Sequence, residues 1–153
     1  MPTPLPETAH RVVSAVWGVY LLAVAWLVWN PVPSAPTTSV FWLSDLAGSL
    51  GLTVLTPDRA EVLLNVVMLV PLSLVGGLLF PRLRVADWTT IGFVTSLLIE
   101  VVQRLLLPTR TGSSRDVVAN TLGALLGALL LGAALRGWAA WQHARHERHR
   151  RPA

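Results

Sequence analysis

Four long apolar stretches dominate this 153-residue chain and restrict what it can fold into. Each is close to the roughly 20 residues that an α-helix needs to cross the hydrocarbon core of a bilayer. Backbone N–H and C=O groups in that core must bond within the protein, so such a segment spans as a helix. The sequence therefore predicts spans over residues 12–29, 61–80, 87–107 and 116–138.

The composition also indicates a membrane protein. Hydrophobic residues make up 53% of the chain and charged residues 13%, with a mean hydropathy of +0.58, which is too apolar for an ordinary soluble domain. The excess positive charge is concentrated beyond Arg136, where orientation in a membrane explains it better than nucleic-acid binding. We expect an all-α integral membrane bundle of four transmembrane helices without a nucleic-acid partner.

The segment between the first two spans has a character of its own. Three prolines within residues 31–36 predict an extended coil, and residues 40–55 are apolar but interrupted by Asp45, Gly48 and Gly51. This second part is too short and too broken to span a bilayer. It predicts an interfacial or re-entrant helix.

The distribution of arginine predicts the orientation. With four spans both termini share one side, and that side carries eight arginines against three on the other. Cytoplasmic flanks collect such residues, so we expect a multi-pass protein of the bacterial plasma membrane with cytoplasmic termini and a basic cytoplasmic tail over residues 139–153. A cleaved signal peptide in place of the first span is less favoured, because the apolar run is long and Arg11 is the one arginine before it.

Several polar and charged side chains lie in or next to these apolar spans. An ionisable side chain near the centre of a bilayer costs roughly 2.5 to 3.5 kcal/mol and marks a functional site by default. In the predicted topology these residues converge in the outer half of the membrane, which predicts a ligand-binding site without a metal or cofactor. The set comprises Asn65, Glu100, Gln103, Arg104, Arg110, Arg115, Asp116 and Asn120.

Spacing within the helices groups these residues. Glu100, Gln103 and Arg104 follow i, i+3 and i+4, so they share one face and Glu100 can pair with Arg104. Gly123 and Gly127 form a GxxxG motif, which lets helix backbones approach closely.

A structural explanation competes with the site for each polar residue alone. Interhelical hydrogen bonds contribute on the order of 0.6 kcal/mol each in membranes, and an aspartate at a helix start can serve as a cap. The whole set favours a site. Gln103 and Asn65 are the better candidates for interhelical hydrogen bonding, whereas Glu100, Arg110, Asp116 and Asn120 are the stronger site candidates.

The order of these residues resembles a family motif. The first piece of the motif is an asparagine followed six residues later by a proline (Asn65 and Pro71), and the second is Glu-x-x-Gln (Glu100 and Gln103). The third piece lies in residues 110–127 and consists of an arginine, an aspartate, the sequence Asn-Thr-x-Gly and a further glycine. In these pieces the chain resembles the VanZ-like family of small bacterial membrane proteins, over roughly residues 61–131. It departs at Leu69, Ser73 and Ser113, and none of these departures removes a core charged position.

The resemblance implies a role in the cell envelope. The family takes its name from an accessory protein of teicoplanin resistance, so the implied phenotype is lowered susceptibility to a glycopeptide antibiotic. Membrane lipids are the expected partners, together with a lipoglycopeptide or a lipid-linked envelope precursor.

Three functions compete at this point. The favoured one is a non-enzymatic envelope protein whose polar site binds an amphiphile or a lipid headgroup. The second is a membrane enzyme that acts on a lipid or lipid-linked envelope precursor, with Glu100 and Asp116 as general acid and base. The third is a small transporter, for which four spans are few and a homo-oligomer is expected.

Overall fold

The computed structural model describes residues 6–29, 34–106 and 113–150. These ranges form five helices: α1 (Glu7–Trp29), α2 (Ser34–Ser49), α3 (Pro57–Leu79), α4 (Val85–Leu106) and α5 (Ser114–Arg150). By length and composition α1, α3, α4 and α5 can each cross a membrane, and no strand occurs in the described ranges. The predicted all-α architecture with four membrane-spanning helices is confirmed.

Local sequence explains where the long helices begin and end. Helix α3 begins at Pro57. The first N–H groups of a helix have no intrahelical partner, so the N–H that proline lacks costs no hydrogen bond there. The helix continues through Pro71. Helix α5 begins after Ser113, whose Oγ accepts a hydrogen bond from the backbone N–H of Arg115 at 3.1 Å. Ser113 is thus the N-cap of α5 and fixes the start of the helix.

Helix α2 differs from the prediction for its segment. The expected extended coil is wrong at Pro36, which lies in the first turn of α2. The N–H groups of a first turn lack intrahelical partners, so a proline is tolerated there. The helix ends at Ser49, short of the predicted Leu55, and Gly51 follows in a turn with a positive φ of 77° that favours glycine.

Helix α5 is longer than predicted. The fourth span was expected to end near Trp138, with residues 139–153 as a tail, but the helix continues to Arg150. Residues 139–150 contain neither glycine nor proline and are rich in alanine and arginine, which favour helix. Its 37 residues correspond to about 55 Å, well beyond the roughly 30 Å of hydrocarbon.

Helices α3 and α5 lie side by side and run in the same direction. A Cβ atom added at Gly123 would collide with the carbonyl oxygen of Val66, and one added at Gly127 would collide with that of Val70. The two backbones therefore touch at both glycines, which confirms the close approach predicted from the GxxxG motif. Helix α4 returns in the opposite direction along α5.

Helix α1 is attached to this core through side chains. Trp17 Nε1 donates a hydrogen bond to the carbonyl of Leu72 at 3.1 Å, and the Tyr20 hydroxyl donates one to the carbonyl of Met68. The residue numbers rise along α1 from Trp17 to Tyr20 while their partners fall along α3 from Leu72 to Met68, so the two helices are antiparallel. Backbone carbonyls thus satisfy the polar ends of both aromatic side chains.

The packing of α3, α4 and α5 contains many small buried residues. Trp88 is buried against Gly76 with 4% of its surface exposed. Small residues let the three helices approach closely enough to enclose polar groups. The buried small residues at this centre are Ala60, Ser73, Ser96, Ala119, Ala124 and Ala128.

Candidate functional site

A hydrogen bond joins the third turn of α3 to the first turn of α5. Asn65 Nδ2 donates to Asp116 Oδ1 at 2.8 Å, and both side chains are half-buried. The Ser113 cap sets where α5 begins and so places Asp116 opposite Asn65. Asn65, which the sequence favoured as a structural residue, therefore contacts one of the strongest site candidates directly.

Helix α4 contributes a buried carboxylate with an exposed partner. Arg104 Nη2 donates to Glu100 Oε1 at 2.9 Å, which confirms the predicted pairing at i and i+4. The Glu100 side chain is 6% exposed and that of Arg104 is 59% exposed. The pair therefore extends from the buried centre of the bundle to its surface.

Two further carboxyl groups, on α3 and α4, act on Asp116 through their charge. They belong to Glu61 and Glu100. Sequence reasoning missed Glu61, because a polar residue at the end of a span is ordinary; the available signal was its position one turn before Asn65. We name Glu61, Asn65, Glu100, Asp116 and Asn120 the three-helix polar cluster.

The described residues include no group of three or more His, Cys, Asp or Glu side chains that could hold a metal ion.

Asn120 lies one turn after Asp116 on the same face of α5. It is 8% exposed, and its Oδ1 has no hydrogen-bond partner in the described part of the chain. A buried acceptor without a partner is costly, and native proteins retain few of them. Asn120 is therefore the member of the cluster whose hydrogen-bonding capacity is most clearly unfilled.

The remaining predicted site residues lie apart from this contact. Gln103 Nε2 donates to the carbonyl of Val28 at 2.9 Å and so joins α4 to α1, in keeping with its interpretation as a structural residue. Arg115 is exposed in the first turn of α5. Arg110 lies outside the described residues.

A shallow apolar groove of about 270 Å³ is lined by residues that neighbour cluster residues in the chain, although no cluster residue lines it. Ser114 and Arg115, which immediately precede Asp116, stand at its polar end. Small-molecule sites usually enclose roughly 300 to 1,000 Å³, so the groove suits a hydrocarbon chain better than a large ring system. Its lining residues are Val62, Ser114, Arg115, Val118, Ala119 and Leu122.

These features define a multi-pass α-helical membrane protein with a carboxylate-rich cluster where three of its spanning helices meet. The family model described as VanZ/LLP1 matches residues 17–135, from the middle of α1 to the middle of α5. The chain belongs to this VanZ-like family, as the resemblance of its motifs indicated. No curated protein and no solved structure matches the chain.

Proposed function

We propose that this protein lowers the susceptibility of the cell envelope to glycopeptide antibiotics by binding an amphiphile or a lipid headgroup at the three-helix polar cluster. Family membership suggests a membrane protein linked to glycopeptide resistance. The observation that carries the binding proposal is the Asn65–Asp116 contact between two spanning helices. Arg115, the chain neighbour of Asp116, lines an apolar groove.

The chemistry of the cluster supports an amphiphilic ligand. A headgroup requires hydrogen-bonding and charged partners, which the carboxyl and carboxamide groups supply. A hydrocarbon chain requires an apolar surface, which Val62, Val118 and Leu122 supply in the groove. An amphiphile would satisfy both surfaces with one molecule.

The proposed location is the bacterial plasma membrane with both termini in the cytoplasm. The arginine distribution supports this orientation through the positive-inside rule. Helices α3 and α5 would then begin at the outer face, which would place the cluster in the outer half of the membrane.

Expression in a teicoplanin-susceptible host tests the proposal. The chain should raise the inhibitory concentration of teicoplanin, and Glu100→Gln and Asp116→Asn should remove that increase at equal amounts of membrane-inserted protein. Glu7→Gln is the matched control, because Glu7 also pairs with an arginine at i+4, at 2.6 Å, but is 81% exposed. No increase with the unmodified chain, or equal activity of all variants, would refute the proposal.

One observation favours a second candidate, a membrane enzyme acting on a lipid or lipid-linked envelope precursor. Glu100 is buried and paired with an arginine, whereas Asp116 is half-buried and accepts from a neutral carboxamide. Two carboxyl groups in such different surroundings suit the separate roles of general acid and base. Turnover of a phospholipid or polyprenyl-phosphate substrate by purified protein, abolished by Glu100→Gln, would replace simple binding with this function.

A further inference from the structure

We propose that the far end of α5 binds the headgroup of an anionic phospholipid through the guanidinium of Arg145, which is held on the ring of Trp141. This second site lies about 44 Å further along the same helix than Asp116. It is therefore independent of the three-helix polar cluster and of the function proposed for it.

Two tryptophans and an arginine form a stack on the surface of α5. The rings of Trp138 and Trp141 are stacked, with centroids 5.0 Å apart and an interplanar angle of 29°. Arg145 Cζ lies 5.3 Å from the centroid of the Trp141 ring, a cation–π contact. This contact restricts the guanidinium without neutralising its charge. Arg145 is exposed and forms no ion pair within the described ranges, so the stack presents a positioned cation to a ligand.

The stack begins at the level of lipid headgroups. Leu131 packs where α3 is about to end, since a Cβ atom added at Gly77 would lie 2.5 Å from Leu131 Cδ2. Trp138 and Trp141 follow Leu131 by about 10 and 15 Å along the helix axis. Headgroups occupy roughly 5 to 8 Å beyond the hydrocarbon, and tryptophan is enriched at that level. Side chains of a helix lean toward its N-terminus, so the guanidinium of Arg145 points back toward the bilayer.

Other arginines at this end of the bundle add positive charge. Arg82 and Arg84 lie in the loop between α3 and α4, and Arg136 lies in α5 just before the stack. All three are exposed, and none of them forms an ion pair in the described part of the chain. Their charges favour an anion at the headgroup level.

The acidic residues at the same end do not cancel this charge. Glu7 is paired with Arg11 at 2.6 Å. Asp87 Oδ2 accepts a hydrogen bond from the backbone N–H of Arg84 at 2.7 Å, at the start of α4. Glu147 forms no ion pair among the described residues. The combination of unpaired arginines with stacked tryptophans fits an anionic lipid, because the tryptophans suit the membrane interface and the arginines suit a phosphate.

Lipid titration of the purified full-length chain in detergent tests the site. Phosphatidylglycerol and phosphatidylcholine with identical acyl chains are compared by native mass spectrometry, and a single-stranded oligonucleotide is titrated as a soluble polyanion. We expect phosphatidylglycerol to bind about tenfold more tightly than phosphatidylcholine, because each arginine near an anionic headgroup contributes about fivefold and several lie at this end.

Four substitutions connect the preference to the stack. Arg145→Gln should lower the ratio between the two lipids about fivefold, and Arg145→Lys nearly as much, because an ammonium keeps the charge but loses the planar donor geometry. Arg11→Gln is the matched control, since this arginine lies at the same end but is already paired with Glu7. It should leave the ratio unchanged, as should Asp116→Asn at the other end of α5.

Each contrary outcome overturns the inference. Equal binding of the two lipids excludes an anionic headgroup, and tighter binding of the oligonucleotide than of phosphatidylglycerol assigns the surface to nucleic acid instead. An unchanged ratio in Arg145→Gln places the preference elsewhere. An unchanged ratio in Arg145→Lys shows that net charge alone attracts the lipid, without a guanidinium site on Trp141.

Discussion

The two parts of the α3–α5 interface differ in how they hold the helices together. Around Gly123 and Gly127 the backbones touch directly. Nearer the start of both helices, Asn65 and Asp116 meet through a side-chain hydrogen bond of 2.8 Å. The same pair of helices is thus closely packed along one part and joined by polar groups at its beginning.

This difference separates stability from function. Close packing at small residues is a principal source of helix association in membranes, whereas hydrogen bonds there contribute on the order of 0.6 kcal/mol each. The polar part therefore adds little to the association of α3 with α5, and placing carboxyl groups in a membrane is costly. We therefore propose that these groups serve ligand binding rather than stability.

The largest expected effect is on the packed part. Gly127→Ala should lower the free energy of unfolding by about 2 kcal/mol, because its new methyl group would overlap the Val70 carbonyl and the Ser73 hydroxyl. Unfolding in mixed detergent micelles measures it. The matched control is Gly137→Ala in the same helix, where an added Cβ meets nothing within 4 Å and helix propensity favours alanine. Equal stability of the two variants would contradict backbone contact between α3 and α5.

A smaller loss of stability is expected from a substitution at the start of α5, where the polar part of the interface begins. Ser113→Ala removes the side-chain oxygen that accepts from Arg115 N–H, and loss of an N-cap costs about 1 kcal/mol. The first turn of α5 should then fray, with faster amide hydrogen exchange around Asp116. Ser114→Ala, one residue further on, is the control and should leave exchange unchanged. Slow exchange at Asp116 in Ser113→Ala would show that the cap does not fix this turn.

The Asn65–Asp116 hydrogen bond should contribute still less to the free energy of unfolding. A double-mutant cycle with Asn65→Ala and Asp116→Ala is expected to yield about 0.6 kcal/mol, the average for hydrogen bonds between membrane helices. Unfolding of the four proteins in the same micelles measures it. A coupling above about 2 kcal/mol would mean that the polar part, too, holds the helices together.

Much of this architecture could be predicted because membrane helices follow simple rules. Length and apolarity identified the spans, the first span was predicted to end at residue 29, where α1 ends, and the GxxxG spacing predicted the close approach of α5 to another helix. The i and i+4 positions of Glu100 and Arg104 predicted their pair.

Contacts between helices were harder to predict, since helical spacing places residues on a face but not against a particular neighbour. Asn65 looked structural by itself, and its contact with Asp116 depends on the parallel packing of α3 and α5. Glu61 was missed for the same reason, because it matters through its nearness to Asp116. The burial of Trp88 against Gly76 likewise follows from packing rather than from its position near a helix start.

The substitution with the smallest expected effect on stability is the best test of whether Glu100 is a site residue or a structural residue. Glu100→Gln exchanges a buried carboxylate for a neutral group of the same shape, while Arg104 remains largely exposed to solvent. If Glu100 is a site residue, stability should stay within about 0.5 kcal/mol of the unmodified protein or rise, because buried ion pairs add little net stability, while teicoplanin tolerance is lost. If Glu100 is structural, the same substitution should destabilise the protein by at least as much as Ser113→Ala. Unfolding and susceptibility measured on one set of variants, with Glu7→Gln unchanged in both, decide between the two.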